Sequence, residues 1–447
     1  MALILTPGGI MSILGSLNRE QKEAVGLLQI GTFLEYFDLM LYVHMAVLLN
    51  ELFFPKTDPH TAALVTAFAF CSTYVLRPFG ALVFGYIGDN IGRKTTVIMT
   101  TMMMSVSCVI MANLPTYEQI GITAAVLVTG CRIIQGMSSM GEIIGALVYM
   151  TEITKPPAQY PAVAFIAVAS SLGAVCALGV ATLVTRFGFN WRNAFWVGAT
   201  IAVVGSLSRT RLRETPEFLK AKQYHKKGRS IDEPIRDEPK GTSKTFLAFV
   251  AIYCGWPLSF YLVFMYFNAP LRQSFGMSAE DIILHNFYLS VIFLITFVTW
   301  AFLSYRNHPL AIIKIRASLS LVFALFLPFL ISVASSPFHI FLIQTMLLVL
   351  SLASTPTEPI LIRSFSVLRR FTASSVIYAL TRAVMYIVTS FGLVYLTRWF
   401  GHYGLWAIIF PVTFAFLWGV RHFEVLEGLR PDKSTPIKEE AVLSKAA

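Results

Sequence analysis

The sequence predicts an all-α polytopic membrane protein with twelve transmembrane helices in two six-helix bundles. The chain of 447 residues is 56% hydrophobic and 13% charged, with a mean hydropathy of +0.67. Soluble domains contain about 25% charged residues, so this composition indicates that lipid replaces water as the main solvent. Twelve windows have the roughly 20 apolar residues that a membrane-spanning helix needs, and the longest polar loop divides them into two groups of six.

These windows follow one another with polar turns between them. They cover residues 24–49, 61–87, 95–113, 118–143, 160–184, 193–209, 246–268, 281–303, 310–333, 338–362, 373–397 and 403–421. The windows divide the chain into a cytoplasmic N-terminal segment, an N-terminal bundle, a central cytoplasmic loop, a C-terminal bundle and a cytoplasmic tail, at 1–23, 24–209, 210–245, 246–421 and 422–447.

The distribution of Lys and Arg predicts the orientation of the spans. With the N-terminus inside, 27 of the 35 basic residues fall in cytoplasmic segments, 5 in outer loops and 3 within spans. Basic residues are enriched in cytoplasmic loops, so both termini are predicted to be cytoplasmic. The net charge of +11 thus reflects topology, and no nucleic-acid partner is expected because the charge is not gathered in a soluble domain.

A compact charged turn separates the second and third windows. The turn contains, in this order, Gly85, Asp89, Gly92, Arg93 and Lys94. A tight polar turn between two apolar runs is a membrane-surface hairpin. We expect its charges to form a cytoplasmic gate, because paired charges at helix ends can favour one global conformation.

The first window carries carboxylates inside the membrane, where ionisable groups are costly and usually functional. Gly31, Glu35, Asp38 and Tyr42 are spaced by four, three and four residues, which places them on one helix face. Asp38 lies near the bilayer midplane and is the predicted proton carrier, together with Glu35. The alternative is that these carboxylates are structural and pair with arginines inside the bundle.

The fourth window has a matching polar face that includes Arg132, Gln135 and Glu142. Arg132 also lies near the midplane, and its bidentate guanidinium group can hold either a substrate carboxylate or Asp38. Glu142 lies near the cytoplasmic end, where we expect a gating or structural role.

Two more arginines lie within predicted spans, and both are candidates for substrate contact or internal ion pairing. Arg77 lies deep enough to need a partner, and Arg382 follows Tyr378 by one turn. Glu358, between two prolines, marks a broken tenth span, and broken helices expose backbone carbonyls beside binding sites. Tyr261 lies beside an aromatic stripe in the seventh window that either packs or lines a cavity.

Several kinds of chemistry have no matching pattern in the sequence. There is no GxxxxGK[ST] loop, no HExxH and no nucleophile–base set, so neither ATP hydrolysis nor an enzymatic site is expected. No cofactor or metal is expected either. The remaining energy source is the proton gradient, acting on a membrane carboxylate whose proton affinity changes with conformation.

The turn residues resemble the loop signature of the major facilitator superfamily, because Gly85, Asp89, Gly92, Arg93 and Lys94 match GxxxD-x-x-G-R-K. Four further stretches of the first half resemble that superfamily's metabolite:proton symporter family. They are Glu35-Tyr-Phe-Asp38 with Tyr42 and Phe53-Phe-Pro55, Arg77-Pro-Phe-Gly80, Arg132-Ile-Ile-Gln-Gly136 with Gly141-Glu142, and Trp191-Arg192-Asn-Ala-Phe195 with Glu214-Thr-Pro-Glu-Phe218. The resemblance implies proton-coupled uptake of a compatible solute such as proline or betaine, or of an organic acid such as α-ketoglutarate, citrate or shikimate.

The second half departs from that family. Arg370-Phe-Thr-Ala-Ser and Tyr378 are similar to the family's pattern before the eleventh span. The loop after the eighth window, residues 304–311, lacks the repeated D-x-x-G-R signature, and Arg363 stands where many members have a glutamate. Any asymmetry of gating is therefore expected to favour the first-half hairpin.

These observations predict a monomeric secondary transporter of the bacterial inner membrane, whose partners are a small solute, protons and lipid. The alternative from another class is a solute sensor, or a carrier that has lost transport. A channel is less expected because no ring of repeated pore residues is present.

Overall fold

The computed structural model describes residues 17–45, 49, 52–54, 74, 76–187, 189–226 and 243–429. The predictions for the first sixteen residues, for most of 46–75, for the middle of the central loop and for the end of the tail lie outside the described residues. Within the part of the chain that is described, every regular element is a helix. The predicted all-α class is confirmed.

Besides a single helical turn at Tyr117–Ile120, six longer helices of the described chain overlap the six windows of the first half. They are α1 (Arg19–His44), α2 (Arg77–Asn90), α3 (Arg93–Asn113), α4 (Ile122–Ile153), α5 (Gln159–Phe187) and α6 (Trp191–Arg209). Helix α4 runs ten residues past its window, because no helix breaker follows until Pro156. The charged loop after α6 contains a short helix, α7 (Pro216–Lys226).

The second half is more interrupted. Its seventh span consists of α8 (Ser243–Tyr253), α9 (Gly255–Tyr261), a π-helical turn and α10 (Asn268–Gln273). The remaining helices are α11 (Ala279–Arg306), α12 (Pro309–Ser332), α13 (Pro337–Val349), α14 (Glu358–Arg363), α15 (Arg370–Ile387), α16 (Leu393–Phe400) and α17 (Trp406–Leu426). The predicted break in the tenth span is confirmed between Val349 and Glu358, where Pro356 cannot continue a helix.

Among the described residues, eight helical segments are long and apolar enough to cross a membrane. One of them, Arg370–Leu426, covers two predicted windows. The described helices α2, α6 and α13 are not among these eight segments, because each lacks the length or the hydropathy that crossing a membrane requires.

The two halves share two apolar layers, and a smaller apolar cluster that includes Leu34 and Met104 lies within the first half. One layer includes Phe37 and Phe195 of the first half together with Phe264 and Phe267 of the second. The other layer lies at the end of the molecule that carries the turn between α2 and α3, which we call the basic end. It includes Ile144 of the first half and Phe371 of the second.

Close contact between the halves at the basic end depends on glycines of α2. A β-carbon at Gly85 would lie 2.8 Å from the Thr372 α-carbon, and one at Gly88 would lie 2.5 Å from the Phe371 ring. Small residues let membrane helices approach backbone to backbone, which is how α2 packs against α15.

We expect Gly85→Ala to lower the melting temperature of the detergent-solubilised chain, because overpacking a tight interface costs about 1–3 kcal/mol. Gly130→Ala is the matched control, since nothing outside its own turn of helix lies within 4 Å of a β-carbon placed there. Equal melting temperatures for the two variants would contradict this account of the interface.

Candidate functional site

The predicted polar faces of α1 and α4 meet in the interior. Arg132 Nη1 lies 2.8 Å from Asp38 Oδ2 and donates to Gln135 Oε1 at 2.8 Å. Gln135 Nε2 donates to the other Asp38 oxygen at 3.1 Å, and the Arg132 guanidinium lies over the Tyr42 ring at 4.1 Å. Of the two predicted uses of Arg132, this conformation therefore shows the pairing with Asp38.

A second ion pair lies one turn along α1. Arg77 Nη2 binds Glu35 Oε1 at 3.1 Å, and both side chains are buried. The other carboxyl oxygen, Glu35 Oε2, and Arg77 Nε have no hydrogen-bond partner among the described residues. Each group thus keeps a polar atom for a further contact.

A third pair, near the basic end, joins Glu142 of α4 to Arg209 of α6. Glu142 Oε1 also accepts hydrogen bonds from the hydroxyls of Thr100 and Thr101, and Arg209 donates to the Leu28 carbonyl. A side chain at Gly31 would collide with this pair. Arg209, the last residue of the sixth window, is buried in the first bundle, where it neutralises Glu142.

A cavity of about 70 Å³ lies between the two halves. Helices from both halves line it, with Tyr36, Ser170, Tyr253, Trp256, Ser354, Glu358, Tyr378 and Arg382 among the residues that face it. The predicted candidate Arg382 belongs to this lining, and Arg77 lines an adjacent space that also borders Arg382. Arg132, Tyr42 and Tyr261 do not belong to either set of lining residues.

Arg382 and Glu358 each present an unpaired polar atom in the interior. The Arg382 guanidinium stacks 3.3 Å from the centre of the Tyr378 ring, and its Nη1 has no partner among the described residues. Glu358 Oε1 accepts from the Thr355 hydroxyl at 2.6 Å and the Ser354 hydroxyl at 3.1 Å, whereas Oε2 accepts none there.

Aromatic side chains close the cavity toward the end opposite the basic end. Tyr74 of the first half contacts Tyr386 of the second, with ring centres 4.6 Å apart, and Phe260 packs on Tyr386 at 6.1 Å. Tyr386 lies one turn beyond Arg382 on α15, so the rings cover the cavity on that side.

The basic end is closed by Asp89, which caps a helix of the other half. Asp89 accepts hydrogen bonds from the backbone N–H groups of Phe371 at 3.1 Å and Thr372 at 2.8 Å, in the first turn of α15. The residue before α15 provides no side-chain cap of its own. A carboxylate at a helix N-terminus satisfies orphan donors and the helix dipole, so this contact joins the halves.

Arg93 adds a second connection across the same interface. It binds Glu152 at 3.0 Å and Asp89 at 3.3 Å, and it donates to the carbonyl of Val367 in the other half at 2.5 Å. Glu152 in turn binds Arg370, 3.3 Å away. Two of the predicted gate charges, Asp89 and Arg93, therefore belong to a network that spans both halves.

The segment between α6 and α7 supports this network through Glu214. Its carboxylate accepts hydrogen bonds from the N–H groups of Arg93 at 3.1 Å and Lys94 at 3.3 Å, in the first turn of α3. A side chain at Gly92 would collide with that carboxylate. Burial raises the pKa of Glu214 above its ordinary value, against the opposing effect of these N–H donors.

Several residues of these sites escaped sequence reasoning. Glu152 lies beyond the predicted end of the fourth window, and Tyr36 is a single tyrosine between two acids. Arg316 was not singled out as a candidate, but it is buried and donates to the Thr355 carbonyl at 2.8 Å and to the Ser351 carbonyl at 2.5 Å. The signal that could have found Arg316 is the broken tenth span, whose carbonyls need a donor.

Comparison with known proteins identifies the family to which the chain belongs. Residues 28–393 match the model described as Major Facilitator Superfamily. The chain belongs to this superfamily. Its members are transporters, so the expectation that the chain is not an enzyme is confirmed, and the chain is a membrane protein.

Similar curated proteins include bacterial transporters. Over 276 residues the chain is 26% identical to the proline/betaine transporter of Escherichia coli strain K12, covering 58% of this chain and 54% of that protein. Over 218 residues it is 33% identical to the inner membrane metabolite transport protein YhjE of the same strain, covering 47% and 49%. The chain thus spans about half the length of the curated relatives it matches.

Similar solved structures have the same fold. The proton:xylose symporter XylE bound to 6-bromo-6-deoxy-D-glucose matches 90% of this chain and 94% of its own, with a TM-score of 0.72 and 13% identity. The human organic anion transporter MFSD10 matches 91% and 100%, with a TM-score of 0.66 and 16% identity. The major facilitator fold predicted from the sequence is confirmed.

Removing one member of the Glu142–Arg209 pair should destabilise the first bundle. Loss of one partner from a buried ion pair costs about 3–5 kcal/mol, because the other charge is left uncompensated. We expect Glu142→Gln and Arg209→Met each to lower the melting temperature, and the double variant to lower it by less than the sum. Additive effects, or unchanged melting temperatures with lost uptake, would contradict a structural role and favour the predicted gating role of Glu142.

Proposed function

We propose that the chain is a secondary active transporter that couples the import of a small carboxylate-bearing solute to protons by alternating access. The observation that carries the proposal is the cavity between the halves, which contains a buried arginine with an unpaired donor, Arg382. Arginine binds carboxylates through paired hydrogen bonds. The curated relatives add compatible solutes such as proline and betaine to the candidate cargo.

Proton coupling is assigned to Asp38, assisted by Glu35. Each acid is buried and bound to one arginine, Arg132 or Arg77. An arginine stabilises the carboxylate, whereas burial favours the neutral acid, so moving the partner changes the proton affinity. Arg132 then serves as an ion partner that releases Asp38 in another conformation.

The contacts between the halves support alternating access. Asp89 and Arg93 hold the basic end closed, while aromatic rings cover the cavity from the other side. Because the described residues of the two halves are in contact at both ends, we assign this conformation to an occluded state. Opening toward the basic end requires Asp89 to leave the N-terminus of α15.

The proposed setting is the bacterial inner membrane, with both termini in the cytoplasm and the basic end facing inward. The proposed partners are the solute, protons and lipid, and the chain works as a monomer with no cofactor. The second candidate function, a sensor without coupled transport, is favoured by the divergent loop after the eighth span. Solute accumulation against a gradient separates the two, because a receptor cannot produce it.

We expect Asp38→Asn to abolish accumulation driven by a pH gradient in vesicles, because an amide cannot carry the proton. Downhill exchange of the solute should persist. Glu280→Gln, at an exposed acid, is the matched control and should accumulate solute as the parent does. Unchanged gradient-driven accumulation in Asp38→Asn would show that another group carries the proton.

We expect Asp89→Asn to reduce uptake far more than Lys314→Gln. Asp89 accepts two backbone hydrogen bonds from the other half, whereas the Lys314–Glu424 pair lies within the second half. Hydrogen bonds to a charged group contribute about 1.5–3 kcal/mol, so the closed population should fall roughly tenfold or more. Similar initial uptake rates for both variants would argue against an asymmetric gate.

A further inference from the structure

We propose that the central cavity takes a dipolar solute whose cationic nitrogen carries at least one N–H, and that it discriminates against quaternary ammonium solutes, which keeps proline among the candidate cargo and removes betaine. This inference rests on the proposed function, because it assigns the cavity as the solute site. Three features carry it: the donor Arg382, the acceptor Glu358 and the packing of the aromatic walls.

The donor is Arg382 Nη1. The Arg382 side chain is 7% exposed, and its guanidinium plane is fixed against the Tyr378 ring. The unpaired Nη1 points to an acceptor supplied by a bound molecule, because buried donors in folded proteins are almost always paired. A solute carboxylate supplies that acceptor together with the opposite charge.

The acceptor is Glu358 Oε2. Two neighbouring hydroxyls, from Ser354 and Thr355, donate to the other oxygen, so they leave Oε2 as an acceptor. The carboxyl group is fixed at the start of α14. Arg316 binds carbonyls of the same broken segment. An ammonium N–H is the group that satisfies Oε2 and balances its charge.

Three aromatic residues that line the cavity already have a ring face in contact with another side chain. Trp256 stacks on Phe293 at 5.2 Å with an angle of 10°, and Tyr253 packs on Phe249 at 4.6 Å. Tyr378 already holds the Arg382 guanidinium over its ring. Quaternary ammonium groups are recognised by converging free aromatic faces, and these contacts reduce the faces that are free. The cation is therefore recognised by hydrogen bonding to Glu358.

The size of the cavity agrees with a small solute. Its volume of about 70 Å³ corresponds to roughly five water-sized groups. N-methyl groups would take up this space and also remove the hydrogen bond to Glu358. Sites that hydrogen-bond a substrate N–H reject analogues that lack it, because their own buried polar groups are then left unpaired.

The test compares proline with N-methylproline and N,N-dimethylproline in binding to the purified full chain by titration calorimetry. The cation of the first two compounds carries an N–H, and that of the third carries none. A second pair, alanine and its N-trimethyl derivative, repeats the comparison on another skeleton. We expect the N–H compounds to bind roughly 10- to 100-fold more tightly, the loss that removal of one hydrogen bond to a charged group produces.

Variants assign the discrimination to Glu358. Glu358→Gln should weaken the binding of the N–H compounds and reduce the ratio of their affinity to that of the quaternary compounds. Glu280→Gln, at an exposed acid, should leave all affinities unchanged. Melting temperatures of both variants report whether they fold. Retained discrimination in a folded Glu358→Gln variant overturns the assignment.

Binding and transport outcomes separate this inference from the proposed function. Equal or tighter binding of the quaternary compounds, or no binding of any compound, overturns the inference. Preferential binding of N–H compounds without accumulation in vesicles supports the inference and overturns the proposed transport. Accumulation of quaternary solutes, without accumulation of the N–H compounds, supports the proposed transport and overturns the inference.

Discussion

The ion pair between Asp38 and Arg132 is the interaction on which the interior of the first half depends. Both groups lie near the predicted midplane, where an uncompensated charge is costly, so α1 and α4 must present them to each other. Gln135 and Tyr42 occupy the remaining faces of the pair. The buried acids of neighbouring turns are also paired with arginines: Glu35 binds Arg77, and Glu142 binds Arg209. These pairs fix the relative register of α1, α2, α4 and α6.

Contacts between the halves add a chemistry that the ion pairs within the first half do not use. Inside the first bundle, buried acids bind arginines. At the basic end, Asp89 and Arg93 bind backbone groups of residues 367–372, beside the ion pair of Glu152 with Arg370. Backbone N–H groups at a helix start carry only partial charge, so such contacts can be exchanged for water when the end opens. This difference suits a rigid bundle that moves against its partner.

Both halves leave buried polar atoms without a partner among the described residues, and those of the second half belong to residues that line the cavity. They are Nη1 of Arg382 and Oε2 of Glu358. The broken tenth span explains the position of Glu358, because Pro356 ends regular hydrogen bonding and the chain re-enters a helix at that residue. The interrupted helices of the second half thus shape the cavity that we propose as the solute site, which fits the departure of this half from the sequence patterns of the related family.

The sequence by itself determined the membrane class, the all-α fold, the hairpin at Asp89 to Lys94 and the polar faces of α1 and α4. These follow from hydropathy and helical spacing, which are local properties of the chain. Only the tertiary structure decided the partners: Arg132 with Asp38, Asp89 with the start of α15, and Arg209 buried with Glu142. It also brought Arg382 and Glu358 to one cavity and left Tyr261 outside its lining. Each buried charge could pair with several opposite charges of similar depth. Helix packing determines which of them becomes its partner, and no single window encodes that packing.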